Sequence, residues 1–160
     1  MTSDMEIERK FLVISDEYRK AAYAKNLIIQ GFLSTDPERT IRIRIKEDKG
    51  YLTVKGRTDK SGTSRMEWEY PINLEDAREM LKICNETLVE KTRYLVKSGN
   101  HVFEVDEFLG ENDGLVIAEV ELDAKEEEII PPLWLGEEVT GDPKYYNSQL
   151  SKTPYLKWNT

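Results

Sequence analysis

The chain has 160 residues, a formal net charge of −8, 39% apolar residues and 34% charged ones. That length and apolar content suit one domain with a real core and exclude a disordered chain, while the acidic balance excludes a nonspecific binder of nucleic acid or anionic lipid. No apolar run approaches the ~20 residues of a membrane helix, "MTSDMEIERK" lacks a secretory core, and the single cysteine, Cys84, forms no internal disulfide, so a cytoplasmic location is expected.

Charged and apolar residues alternate from the start, in "MEIERKFLV", and predict a first strand over 5–13. A helix is expected after Ser15, with Asp16 and Glu17 in its first turn, running to about Leu27. Strands follow at 28–34, 39–47, 50–57 and 65–72. Asn73 is a good N-cap, with Asp76 three residues on, for a second helix ending near Asn85. Strands at 87–97, 101–109 and 114–123 complete the set, and a short helix is expected over 144–152. The turn-rich links "EDKG", "KSGN" and "GENDG" suit hairpins. The expected fold is α+β and mainly antiparallel β, with eight strands in a single domain over 1–160, as a closed barrel or a sandwich.

Residues i and i+2 share a strand face about 7 Å apart. Sorted by face, acids pair at Glu6/Glu8, Glu67/Glu69, Glu104/Asp106 and Glu119/Glu121. Bases pair at Arg42/Arg44 and Lys91/Arg93, with Lys10 and Lys55 at matching positions. A solvated sheet face explains any one such pair. Like-charged pairs on six strands point elsewhere, because stability alone favours alternating signs. If the faces converge on a cavity, the acids are hard-oxygen ligands for divalent cations and the bases hold phosphate oxygens. Ile7, Phe11, Ile41, Ile43, Ile45, Leu52, Val54, Met66 and Trp68 then face outward, under helices and loops.

These stretches resemble the CYTH, or triphosphate tunnel metalloenzyme, superfamily. "EIERK" matches its E-x-E-x-K signature, and "QGFLS", "RIRIK", "TVKG", "EWEY", "VEKTRY", "FEVDEF" and "AEVEL" follow in the family's order. The tail "IPPLWLGEEVTGDPKYYNSQL" looks like that of short bacterial inorganic triphosphatases. The resemblance implies an eight-stranded tunnel with a polar lumen and helices outside, hydrolysing inorganic triphosphate to pyrophosphate and phosphate with Mg²⁺ or Mn²⁺, two ions in all. By position, Glu6, Glu8, Asp106, Glu119 and Glu121 resemble metal ligands. Lys10, Arg42, Arg44, Lys55, Lys91 and Arg93 resemble phosphate ligands, and Lys152 a cation closing over the substrate. Lys55, Glu119 and Glu121 are the residues expected at the chemistry, the acid pair helping a cation lower the pKa of the attacking water. Glu67, Glu69 and Glu104 are open between ligating metal and orienting bases. Short members commonly read Q-G-Y-L where this chain has Phe32, which removes a hydroxyl from the neighbourhood of Lys55.

A small-molecule triphosphate is the expected partner, with no nucleic acid and no membrane, and a homodimer is compatible with short members of the family. The rival activities are adenylate cyclisation, thiamine triphosphate hydrolysis and non-catalytic polyphosphate or nucleotide binding. No adenine pocket is recognisable, and the His-Phe stretch of cyclase members is absent ahead of "EIERK". His101 reads as a hairpin-end residue, Cys84 as helix packing, Trp134 as an apolar anchor and 124–130 as a solvated loop.

Overall fold

The computed structural model describes residues 2–158. Its strands are β1 (Thr2–Val13), β2 (Ala24–Ser34), β3 (Arg39–Lys46), β4 (Lys49–Gly56), β5 (Ser64–Ile72), β6 (Asn85–Ser98), β7 (His101–Phe108), β8 (Val116–Glu121) and β9 (Leu135–Glu138). The helices are α1 (Tyr18–Ala21), α2 (Leu74–Lys82) and α3 (Asn147–Lys152), with short 3₁₀ turns at Gly110–Asn112, Pro143–Tyr145 and Tyr155–Lys157.

The strand order β5-β4-β3-β2-β6-β7-β8-β1 returns on itself through a β1–β5 pairing, so eight antiparallel strands close a barrel. β1 makes the closure because it is long enough to serve two partners. Its Thr2–Ile7 half runs beside Glu69–Ser64, and its Glu8–Leu12 half beside Glu121–Ile117. The ninth strand stands outside this ring, pairing Phe11 with Glu138 and Val13 with Leu135. Among the described residues, closure gives each of the eight ring strands a neighbour on both sides.

Two apolar clusters clothe the barrel's outside. Phe11, Phe103, Val105, Ala118 and Val120 are buried there beneath Tyr18 of α1 and Trp134 of the segment before β9. Tyr18 and Phe103 each meet the Trp134 ring edge-on, at 5.9 and 5.8 Å between centroids, which bears out the anchor reading. On the other side α2 lays Ala77 and Leu81 over Ile43, with Ile45, Leu52 and Ile72 around them. Asn73 caps α2 through its side chain, which accepts from the backbone N–H of Glu75 and Asp76. Gly50 lets the helix approach, since a Cβ there would stand 2.7 Å from that of Ala77. Fully burying each such Val, Ile or Phe contributes roughly 1.5–3 kcal/mol. The barrel is therefore apolar outside and polar inside, as the alternation required. Ile41, Val54, Met66 and Trp68 share that outward face but remain only half-buried.

Two expected helices are shorter than their sequence suggests. The one expected to run to Leu27 stops at Ala21, and Ala24–Leu27 instead extend β2 against Leu95–Thr92 of β6. The local alanines favour helix, but a ladder along the 14-residue β6 satisfies more backbone groups. At the C-terminus, the span from 144 opens as a 3₁₀ turn carrying Pro143, and the α-helix begins only at Asn147. Among the described residues no helix is long and apolar enough to cross a membrane.

Candidate active site

The lumen is a cavity of about 260 Å³ lined by inward residues of β1, β2, β3, β4, β5, β6, β7 and β8. Strand alternation puts Glu6, Glu8 and Lys10 on its wall from β1, Arg42 and Arg44 from β3, Lys55 from β4, and Glu67 and Glu69 from β5. Lys91 and Arg93 follow from β6, Glu104 from β7, and Glu119 and Glu121 from β8. Antiparallel register then decides which charges meet. Glu8 lies opposite Glu121 and Lys10 opposite Glu119, Arg93 faces Asp106, and Lys55 faces Glu67.

One end of the lumen is blocked. Beyond Lys91 on β6 comes Val89, beyond Asp106 on β7 comes Phe108, and beyond Glu119 on β8 comes Ile117. These three bury against Leu150 of α3, with Tyr145, Tyr155 and Trp158 packed around them. The polar cavity therefore ends where the apolar plug begins.

Part of the site is paired in advance. Arg93 grips Asp106 with both arms of its fork, Nε to Oδ1 at 2.8 Å and Nη2 to Oδ2 at 2.9 Å, while Lys91 Nζ stands 2.8 Å from the same Oδ2. Arg93 also reaches Glu104 at 3.3 Å and Glu119 at 3.6 Å. Lys55 bridges Glu6 at 3.1 Å and Glu67 at 3.3 Å. Lys10 stands 3.4 Å from Glu119. Burial would raise the Glu119 carboxyl, but Lys10, Arg93, Lys91 and Lys55 outweigh it and hold the group below its ordinary range. Burial likewise opposes Asp106, and Arg93 with Lys91 pulls it down.

The rest of the site is less completely paired. Glu8 and Glu121 have no cation within ion-pair distance among the described residues. Burial, with Glu119 and Glu6 nearby, pushes Glu8 up to about 8. Burial, with Glu6, Glu104 and Glu67, pushes Glu121 up to about 7. On the basic side, Arg44 donates Nε to Gln30 Oε1 at 3.0 Å, and burial with Arg42 and Arg93 pushes it down to about 9. Arg42 reaches Thr53 Oγ1 at 3.1 Å and Glu69 at 3.5 Å, and its buried Nε has no acceptor. Burial lowers Lys91 to about 7, with Asp106 opposing and Arg93 and Arg44 reinforcing. Excess negative charge at one wall and excess positive charge at another suit a cation and a polyanion bound together. Glu8 and Glu121 fit a hard divalent ion chemically. Among the described residues no group of three acids, histidines or cysteines is arranged as a metal cage, so water and substrate oxygens would complete the shell.

Of the residues expected in the site, Lys152 is the one placed apart. It is exposed at the end of α3 and does not line the lumen. Because α3 begins at Asn147, only its first turn reaches the cavity, and Lys152 lies more than one turn, roughly 5.4 Å, farther along. Asp106 sits at the site, but its oxygens are committed to Arg93 and Lys91. Asn147 and Gln30, which the sequence did not single out, also belong there, as does Tyr146, a tyrosine that the sequence leaves open between lining a tunnel end and packing the C-terminal segment. Asn147 Oδ1 accepts from Gln30 Nε2 at 2.8 Å and from Lys91 Nζ at 2.9 Å, and Tyr146 places its ring 5.4 Å from Lys10 Nζ. Gln30 was legible by spacing, two residues before Phe32 on the inward face of β2. Phe32 is buried and lines the lumen. His101 pairs with Glu127 beside the β6–β7 turn, and burial raises the Cys84 thiol, so neither offers an activated nucleophile.

The CYTH domain profile matches residues 4–154. An inorganic triphosphatase of Acetivibrio thermocellus is 48% identical over 151 residues, 94% of this chain and 95% of that protein. An inorganic triphosphatase of Nitrosomonas europaea is 34% identical, covering 91% and 96%. A solved inorganic triphosphatase structure, 32% identical, superposes with a TM-score of 0.62 over 91% of this chain and 93% of that one. Matched along nearly its whole length, the chain belongs to the CYTH domain family.

Proposed function

We propose that the protein hydrolyses inorganic triphosphate to pyrophosphate and phosphate inside the barrel, with a divalent metal, as its named relatives suggest. The observation that carries this reading is one lumen holding Lys10, Arg42, Arg44, Lys55, Lys91 and Arg93 opposite an unpaired Glu8/Glu121 pair. A triphosphate has oxygens enough to engage every one of these bases. Arginine forks fix oxygen positions and lysines add point charge, which is most of what phosphoryl transfer asks of a protein.

In this reading Arg42 and Arg44 take phosphate oxygens, Arg42 with its unpartnered Nε and Arg44 with a fork held only by the neutral Gln30. Lys10, Lys55 and Lys91 supply charge at places fixed by their carboxylate partners Glu119, Glu6 and Asp106. Glu6, Glu8, Glu119 and Glu121 would hold Mg²⁺ or Mn²⁺, two ions in the full reading. Asp106 would join them only by releasing Arg93 and Lys91, so its proposed part is to hold those bases in place. Bound metal would neutralise phosphate oxygens and lower the pKa of a coordinated water. The apolar plug excludes bulk water from the closed end, which strengthens each contact there.

The test is phosphate release from tripolyphosphate with Mg²⁺, beside an EDTA control, with ATP and pyrophosphate as parallel substrates. Metal-dependent release from tripolyphosphate alone supports the reading. Cyclic AMP from ATP, or phosphate release that EDTA leaves untouched, would overturn it.

A further inference from the structure

At the blind end of the lumen, three consecutive residues of the C-terminal segment each meet a lumen cation with a neutral group. The Tyr145 carbonyl accepts from Lys10 Nζ at 3.2 Å, and the Tyr146 ring lies 5.4 Å from the same atom. Asn147 Oδ1 takes hydrogen bonds from Lys91 Nζ and from Gln30 Nε2, and Gln30 in turn holds Arg44 through its own Oε1. Elsewhere in this lumen bases are aimed by carboxylates, as Asp106 aims Arg93 and Glu6 aims Lys55.

The chemical difference has a consequence. A carboxylate orients a base but cancels its charge, whereas a carboxamide oxygen orients it and leaves the charge whole. Lys91 already shares one acid, Asp106, with Arg93. A second acid beside it would cancel the one positive charge that Lys91 and Arg93 together keep over Asp106. We infer that Asn147 is a positioning residue for the proposed triphosphatase reaction: its neutral carboxamide oxygen fixes Lys91 and, through Gln30, Arg44 at the closed end of the lumen while adding no negative charge that would compete with a terminal phosphate group.

This inference rests on the function proposed above, and two substitutions separate it from a merely structural role. Asn147→Asp keeps the shape and the acceptor oxygen but adds the charge that the site avoids. It is expected to raise KM for tripolyphosphate at least about tenfold, with a smaller change in kcat and a melting temperature equal to or above that of the parent. Asn147→Ala removes the acceptor and lets Lys91 and Gln30 relax. It is expected to lower kcat on the order of 10²-fold, as small misplacements of catalytic groups do, with a smaller change in KM. An unchanged KM in folded Asn147→Asp would overturn the inference, as would variants that lose activity only in proportion to lost folded protein. Should Asn147→Ala fail to fold, the isosteric Asp variant still decides. If the parent chain turns over no tripolyphosphate, the proposed function falls. Calorimetric binding of tripolyphosphate to parent and Asn147→Asp then makes the same comparison, and equal affinities overturn the inference.

Discussion

The two walls of the lumen carry similar numbers of charges and treat them in opposite ways. On the β6–β7 wall, Arg93, Lys91 and Asp106 are locked together by contacts of 2.8–2.9 Å. On the β1–β8 wall, Glu8 and Glu121 face each other with no base between them. A buried ion pair whose partners are satisfied is a rigid fixture, whereas two facing carboxylates are an unfinished one. The difference separates what the barrel supplies ready-made, an oriented basic surface, from what it leaves to a bound cation.

Breaking the finished wall has the largest expected effect. Asp106→Ala leaves Lys91 without its carboxylate and Arg93 with only the longer contacts to Glu104 and Glu119, and urea unfolding should show a loss of about 3–5 kcal/mol, the usual result of removing one partner from a buried pair. A loss below about 1 kcal/mol would mean that water reaches these bases and the wall is not rigid. On the unfinished wall, Glu121→Gln should do the reverse. It removes repulsion, so the metal-free melting temperature should hold or rise, while metal-dependent turnover of tripolyphosphate is largely abolished. Full activity in this variant would remove Glu121 from the proposed metal set.

The same contrast predicts a pH dependence. Glu8 and Glu121 have folded pKa values raised to about 8 and about 7, so between pH 4.5 and those values the folded state binds more protons than the unfolded one. Their contribution to stability is complete below about pH 4.5 and is lost as pH rises through 7 and 8. Lys91, lowered to about 7, works the other way only above that pH. Metal-free protein should therefore melt several degrees lower at pH 7 than at pH 5.5, and Mg²⁺ should restore most of the difference at pH 7 and little at pH 5.5. A flat metal-free profile would mean that the two carboxylates are already compensated. The smallest effect is expected at Phe32, which is buried in the lumen wall. Phe32→Tyr should alter kcat for tripolyphosphate only a few-fold, because the bases that bind phosphate remain in place. A change of about 100-fold would make a hydroxyl at this position part of the chemistry.

Much of this was legible without coordinates. Period-two alternation requires only that successive side chains point to opposite faces, so Glu6/Glu8, Arg42/Arg44 and Glu119/Glu121 could be assigned to one surface from spacing alone. Closure was suggested by eight strands in a short chain, and the family resemblance named it. Helix ends were less legible, because the preference of Ala21 to Ala24 for helix is local while the pull of β6 on β2 is not.

The sequence by itself determined which residues share a face and therefore which charges line the lumen, because side-chain direction along a strand is a local property. Only the tertiary structure decided which of those charges are neutralised. Register across strands places Glu8 beside Glu121 and Arg93 beside Asp106, and Lys91 and Asn147, 56 positions apart in the chain, meet because α3 folds back over the barrel's end. Alternation specifies a surface, but pairing is a matter of distance in space, and spacing along one strand does not contain it.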